Sequence, residues 1–149
     1  VNVRAQAAFE YLMTYSWAIL IIGVVVGFLV YYGIFNPGSY VRPEAFGFST
    51  FYVSENGWKL TADGKLTLIV QNQIDHRVEV TKIYANGETV PILTDLAPGE
   101  SKMILDDHQL SGKSGAAGSS YKLKIAIEYN DTVTKLLHND TGTLIGKFE

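Results

Sequence analysis

No charged side chain interrupts this chain between Glu10 and Arg42, and residues 11–35 read YLMTYSWAILIIGVVVGFLVYYGIF. About 20 apolar residues at 1.5 Å rise each suffice to cross a bilayer, so the run is long enough to span one. Twelve residues from Ile19 to Phe35 are Leu, Ile, Val or Phe. At roughly −0.3 to −0.6 kcal/mol each near the bilayer centre, they favour insertion by about 5 kcal/mol, more than the glycines among them cancel. A rod apolar on all sides must be surrounded on all sides, by lipid or by protein, and is not a soluble helix. A secretory signal peptide has a shorter apolar core, of 7–15 residues, and a small-residue cleavage site behind it. This run ends in YYGIFNPGSY, which offers no A-x-A pattern. The chain starts at Val1, with Arg4 the only basic residue before the run, so the expectation is a terminus exposed by removal of an upstream leader.

The helix is expected from Val3 to Phe35, stopped at Asn36 because Pro37 holds its predecessor in extended geometry. Three segments follow: an apolar helix over 1–36, a hinge over 37–43, and a domain over 44–149, close to the modal domain size. With no cysteine in the chain, a disulfide framework and a thiolate metal site are both excluded. The net charge of −3 offers none of the basic stripe that a nucleic-acid partner calls for.

Beyond Pro43 the apolar pattern changes to alternation. Leu66, Leu68 and Val70 alternate with Thr67 and Ile69, and Leu123, Ile125 and Ile127 alternate with Lys122, Lys124, Ala126 and Glu128, which is the signature of half-buried strands. Strands are expected over 45–54, 58–61, 65–72, 77–85, 88–93, 101–106, 120–129, 132–137 and 142–148. Asn56-Gly57, Asp63-Gly64 and Asn86-Gly87 are expected to form two-residue type I′ turns, and Pro98-Gly99 another turn. Residues 111–120 (SGKSGAAGSS) read as a flexible loop with almost nothing to bury. The fold class expected is α+β: a long N-terminal hydrophobic helix followed by an antiparallel, Ig-like β-sandwich with Greek-key connections. No internal repeat is visible.

The segment AQAAFEYLMTYSWAIL resembles the N-terminus of archaeal type IV pilins. The matching positions are Gln6, Ala8, Glu10 and Tyr11, followed by the apolar helix from Leu12, and the ending GTLIGKFE resembles the last strand of such pilins. The resemblance covers residues 4–35 closely and the remainder only in plan. One departure is that the family is cut directly before the Gln, whereas VNVRA precedes it here. The resemblance implies a precursor held in the membrane, a leader removed by a prepilin peptidase, and extraction by an assembly ATPase with its platform protein. The product would be an extracellular homopolymer with helices bundled in its core and β domains outward. No cofactor is implied.

Individual residues sharpen this picture. Gly23 and Gly27 form a small-xxx-small pair suited to close helix–helix approach, although glycine is also common in membrane helices. Glu10 is the only acid before Glu44, with Gln6 and Thr14 four residues to either side on one helix face. A buried carboxylate needs a partner. The candidates are the amino terminus or Arg4 of an adjacent subunit, the alternative being a headgroup-level residue with no specific partner. Asn130-Asp131-Thr132 and Asn139-Asp140-Thr141 are N-glycosylation sequons, both in expected loops. Asp106-Asp107-His108 is the best candidate for metal or catalytic chemistry, but it has no second His at ligand spacing and reads as an exposed polar turn. No phosphate loop, nucleophile elbow or HExxH is present, so no enzyme is expected. The function expected is a subunit of a type IV pilus or adhesion filament. The rivals are an archaellin of a swimming filament and a single-pass cell-surface binding module.

Overall fold

The structure, a computed structural model, describes residues 3–35 and 40–149, with helix side chains described from Gln6 onward. The chain forms two compact units, Val1–Pro37 and Gly38–Glu149. In the first, α1 (Val3–Tyr31) is a single uninterrupted helix. Apart from the half-buried Leu29, its large apolar side chains from Phe9 through Val30 are exposed. The stretch Gln6–Tyr31 is long and apolar enough to cross a membrane.

The helix stops earlier than Phe35, and for a different reason than expected. Gly33 adopts φ +68°, its N–H donates to the Val30 carbonyl at 3.0 Å, and the Ile34 N–H reaches back to Leu29 at 3.0 Å. These two bonds are the Schellman closure, which needs a left-handed residue that glycine adopts without strain. The cap thus satisfies the last carbonyls one turn before Pro37. Residues 36–39, including the expected Asn36 stop and the start of the 37–43 hinge, lie outside the described residues.

The second unit contains β1 (Glu44–Phe46), β2 (Phe51–Tyr52), β3 (Trp58–Leu60), β4 (Lys65–Asn72) and β5 (Val78–Ala85). It continues with β6 (Glu88–Leu96), β7 (Ser101–Gln109), β8 (Ser120–Asp131) and β9 (Leu137–Lys147). Five strands form one antiparallel sheet in the order β1-β9-β8-β5-β6. In the other sheet β4 is central, with β7 on one side and β2 and β3 end to end on the opposite side. The alternation seen in sequence is the burial pattern itself. Leu66, Leu68 and Val70 of β4 and Leu123, Ile125 and Ile127 of β8 are all buried in one core to which both sheets contribute. A fully buried aliphatic side chain is worth about 1.5–3 kcal/mol, so this ladder of residues is what stabilises the unit in the absence of disulfides.

Several expectations are corrected. The strand expected over 45–54 is two strands, because the chain leaves one sheet after Phe46 and joins the other at Phe51. Gly47 (φ +92°) makes the departure, and a Cβ there would press on the backbone of Thr141 and Gly142. Residues 132–136, expected as strand, form a turn instead. The Asp131 carboxylate accepts the N–H groups of Val133 (2.7 Å) and Thr134 (3.1 Å), which a ladder would otherwise need. Of the three expected type I′ turns only Asn86-Gly87 has both residues left-handed (φ 52° and 82°). At Asp63-Gly64 only the glycine is (φ 93°), and Asn56-Gly57 joins the end-to-end strands β2 and β3 rather than a hairpin.

The 111–120 loop is also not loose. Gly115 donates to Ala62 O at 3.1 Å and Gly118 to Phe148 O at 2.8 Å, and a side chain at Gly115 would collide with the Phe148 ring. The glycines thus let the loop lie flat against the fold. Beneath it, Glu149 N donates to Leu60 O (3.0 Å) and Ala62 N to Glu149 O (2.7 Å), so the segment after β9 is strapped to the other sheet.

Candidate functional site

The first candidate is the surface of α1. Gln6 and Glu10 are exposed on one face. Thr14 lies beside them, but its hydroxyl donates to the Glu10 backbone carbonyl at 2.9 Å, not to the carboxylate. Among the described residues the Glu10 carboxylate has no partner. Arg4 lies on α1 but its side chain is outside the described residues, so its pairing within a chain is not on view. Apart from the helix's own adjacent backbone, nothing among the described residues lies within 4 Å of where a Cβ would stand on Gly23 or Gly27. Neither glycine is therefore required by packing inside the molecule. A shallow apolar notch opens at Gly27, lined by Val24, Phe28 and Tyr31.

One feature of the helix was overlooked in the sequence. Tyr11, Tyr15 and Trp17 cluster toward one end and Tyr31 and Tyr32 toward the other, with Tyr11 and Tyr15 ring centroids 4.4 Å apart. From Tyr11 to Tyr31 is about 30 Å at 1.5 Å per residue, the hydrocarbon thickness of a bilayer. Aromatic residues favour the two membrane interfaces, and their spacing alone could have revealed this.

The sequons do not sit in loops. Asn130 is half-buried near the end of β8, and Asn139 is exposed within β9. In both, the middle residue is a buried carboxylate with structural work. Asp140 accepts from Ser49 N (2.9 Å), Thr50 N (2.8 Å), Phe51 N (3.0 Å) and the Ser49 hydroxyl (3.0 Å), fixing the crossing between sheets. Beside it, the Thr50 and Tyr129 hydroxyls bond at 2.9 Å and the Phe51 and Tyr129 rings meet edge to face. Asp131 holds its turn as described, and Thr132 Oγ1 donates to Arg77 O at 2.6 Å.

Asp131 also meets His76 from the β4–β5 loop. His76 Nε2 lies 3.1 Å from Asp131 Oδ2, close enough for an ion pair but off the line of a hydrogen bond, while Nδ1 is 2.7 Å from Asp75 Oδ1. The hydrogen bond to Asp75 is the main cause that raises the His76 pKa above its usual range, and Asp131 adds to it. Burial works to raise the Asp131 pKa, but the hydrogen bonds from Val133 and Thr134, with smaller help from His76, lower it to about 2. Asp106-Asp107-His108 lies within β7 rather than at a turn. Asp107 (φ 44°) forms a bulge held by Thr67, whose hydroxyl donates to Asp107 Oδ1 at 3.2 Å. Among the described residues no three His, Asp or Glu side chains gather where they could hold a metal.

A cleft of about 280 Å³ in the β unit opens beside β3 and the end of β9. Pro43, Trp58, Leu60 and Tyr121 line it, with Trp58 Nε1 donating to the Tyr121 hydroxyl at 3.0 Å. Burial raises the Tyr121 pKa, so this hydroxyl stays neutral.

These features define a class: a chain with one exposed, membrane-length apolar helix and a β unit of two antiparallel sheets with its own core. No protein-family model matches the chain, and no curated protein matches it.

Proposed function

We propose that this chain is a structural subunit of an extracellular filament of the type IV pilus kind, built by packing α1 of many copies into a core with the β units outward. The observation that carries this reading is the surface of α1. Past Glu10 it is apolar on every side, most of its large side chains are exposed, and it contains two glycines at which an added Cβ would meet nothing beyond the helix's own backbone. Burying some twelve large side chains is worth on the order of 20 kcal/mol as an upper estimate, which favours assembly strongly once copies leave the lipid. Gly23 and Gly27 would let neighbouring helices approach closely, and Glu10 would take the amino terminus or Arg4 of a neighbour as its partner.

The strand order supports the same reading. The orders β1-β9-β8-β5-β6 and β2/β3-β4-β7 are compatible with an Ig-like sandwich whose first strand is divided between the two sheets. In this reading the helix spans the membrane before assembly, a prepilin peptidase removes the leader, and an assembly ATPase and platform protein extract the subunit. Asn139, exposed on the outer face of its sheet, is the better placed of the two sequons for a glycan.

Negative-stain microscopy of material sheared from cells producing the full chain is the test. Thin filaments that contain the chain are expected, and deletion of residues 1–36 should give a soluble β unit and no filament. A truncated chain that still formed such filaments, or a full chain that formed none, would overturn the reading.

A further inference from the structure

The two ends of the β unit differ in a way that the helix does not explain. The chain enters beside Ile145, the partner of Glu44, at the end of the sheet where Ser120 pairs with Lys147. The cleft lined by Pro43, Trp58, Leu60 and Tyr121 opens at this end. The β8–β9 turn lies at the opposite end, beyond the pairing of Asn130 with Leu137, roughly 34 Å along the strand from the Ser120–Lys147 pair at about 3.4 Å per residue. That turn displays three large apolar side chains to solvent: Val133 is 68% exposed, Leu136 59% and Leu137 61%.

An exposed apolar turn in a loose loop would mean little. This one is rigid. Asp131 holds Val133 and Thr134, Lys135 N donates to Asp131 O (2.9 Å), Asp131 N to Leu136 O (3.0 Å), and Thr132 is tied to Arg77. Lys135 stands in the left-handed region (φ 59°), which glycine would occupy at lower cost. A preorganised apolar knuckle loses little entropy on docking. Each end also carries an unpaired charge of opposite sign. Lys135 at the knuckle and Glu55 at the cleft rim each lack an ion-pair partner among the described residues, whereas Lys59 and Glu149, also at the cleft, pair with each other at 3.3 Å, and Lys147 lines the cleft as well.

We infer that the knuckle Val133–Lys135–Leu136 of one copy docks into the Pro43–Trp58–Tyr121 cleft of a second copy, with Lys135 facing Glu55. A patch on one end that fits a pocket on the other end is a heterologous contact, and such contacts propagate open polymers instead of closing into dimers. The inference rests on the filament reading for the crowding of copies, and it adds a second, head-to-tail bond to the one made by the helices.

The absence of cysteine makes the test clean. The full chain carrying Leu136→Cys and Glu55→Cys is treated in its filaments with a short bis-maleimide. A ladder of cross-linked oligomers that needs both cysteines is expected. In parallel, Lys135→Glu or Glu55→Lys should each lower filament yield by about tenfold or more, since like charges would then face each other, and the double reversal should restore it. Near-ultraviolet circular dichroism of Trp58 confirms that each variant is folded. Filaments without a ladder, or a double reversal no better than the single ones, would overturn the docking and leave the filament reading standing. If the wild type makes no filaments, that reading falls, and the ladder is sought in membranes containing the full chain. Its presence there supports the end-to-end contact and its absence overturns it.

Discussion

At the scale of single residues, the strongest constraints in the β unit are two carboxylates that the sequence presents only as the middle letters of sequons. Asp140 satisfies three backbone N–H groups at the crossing between sheets. Asp140→Asn keeps the sequon and nearly the size of the side chain, but an amide has one acceptor oxygen, so at least one N–H is left unpaired. At about 1–3 kcal/mol for each unsatisfied buried group, a loss of about 2–4 kcal/mol is expected, measured by chemical denaturation followed through Trp58 fluorescence. Neither partner is near in sequence, so no local pattern could reveal this clamp. His76 makes a second residue-scale prediction. Its folded pKa is raised, so the stability it contributes is fully present below about pH 6.5 and is lost as pH rises through the raised value. The melting temperature of the β unit should therefore fall across that interval in the wild type and not in His76→Gln. Asp131 has the opposite sign: its contribution is present above about pH 4 and is lost as pH falls toward 2.

At the scale of elements, the sequence is most legible where burial has a single period. The interiors of β4 and β8 follow their alternation, and the apolar run forms one helix as its length requires. Legibility fails where a local bond replaces the ladder. Residues 132–134 are all β-branched, as a strand favours, yet Asp131 takes the N–H groups a strand would use, and Gly33 caps α1 a turn before the more conspicuous Pro37. The loop at 111–120 misleads for the reverse reason, since its small residues permit close contact with Phe148 instead of freedom. On α1 itself, Gly27→Leu adds four carbons to a notch that is open in the single chain. Membrane insertion should be unchanged or improved, because leucine favours lipid. On the filament reading proposed above, overpacking at a helix contact costs about 1–3 kcal/mol, repeated at every subunit, so filament yield should fall sharply. Quantifying the variant in membranes and in sheared filaments separates these effects. Normal yield at normal diameter would exclude close approach at Gly27.

At the scale of the whole molecule, the chain joins two units with different solvents. One has an apolar surface and no core of its own, while the other closes its core with two sheets, a strapped C-terminal segment and a pinned loop. The plan of helix followed by β domain was legible because hydropathy alone separates the two parts. The strand order was not, because the pairing of β1 with β9 and of β4 with β7 joins segments remote in sequence, and periodicity has no information about partners. The clamp at Asp140 has a mechanical consequence. Tension transmitted from the helix reaches the β unit through β1, a strand of three residues, which can strip from β9 at small cost. The next obstacle is the crossing at Ser49, Thr50 and Phe51, where several bonds converge on one buried carboxylate and must break nearly together. The crossing acts as a rip-stop: a pulled chain can lengthen by unpeeling its first strand while the remainder of the β unit stays folded.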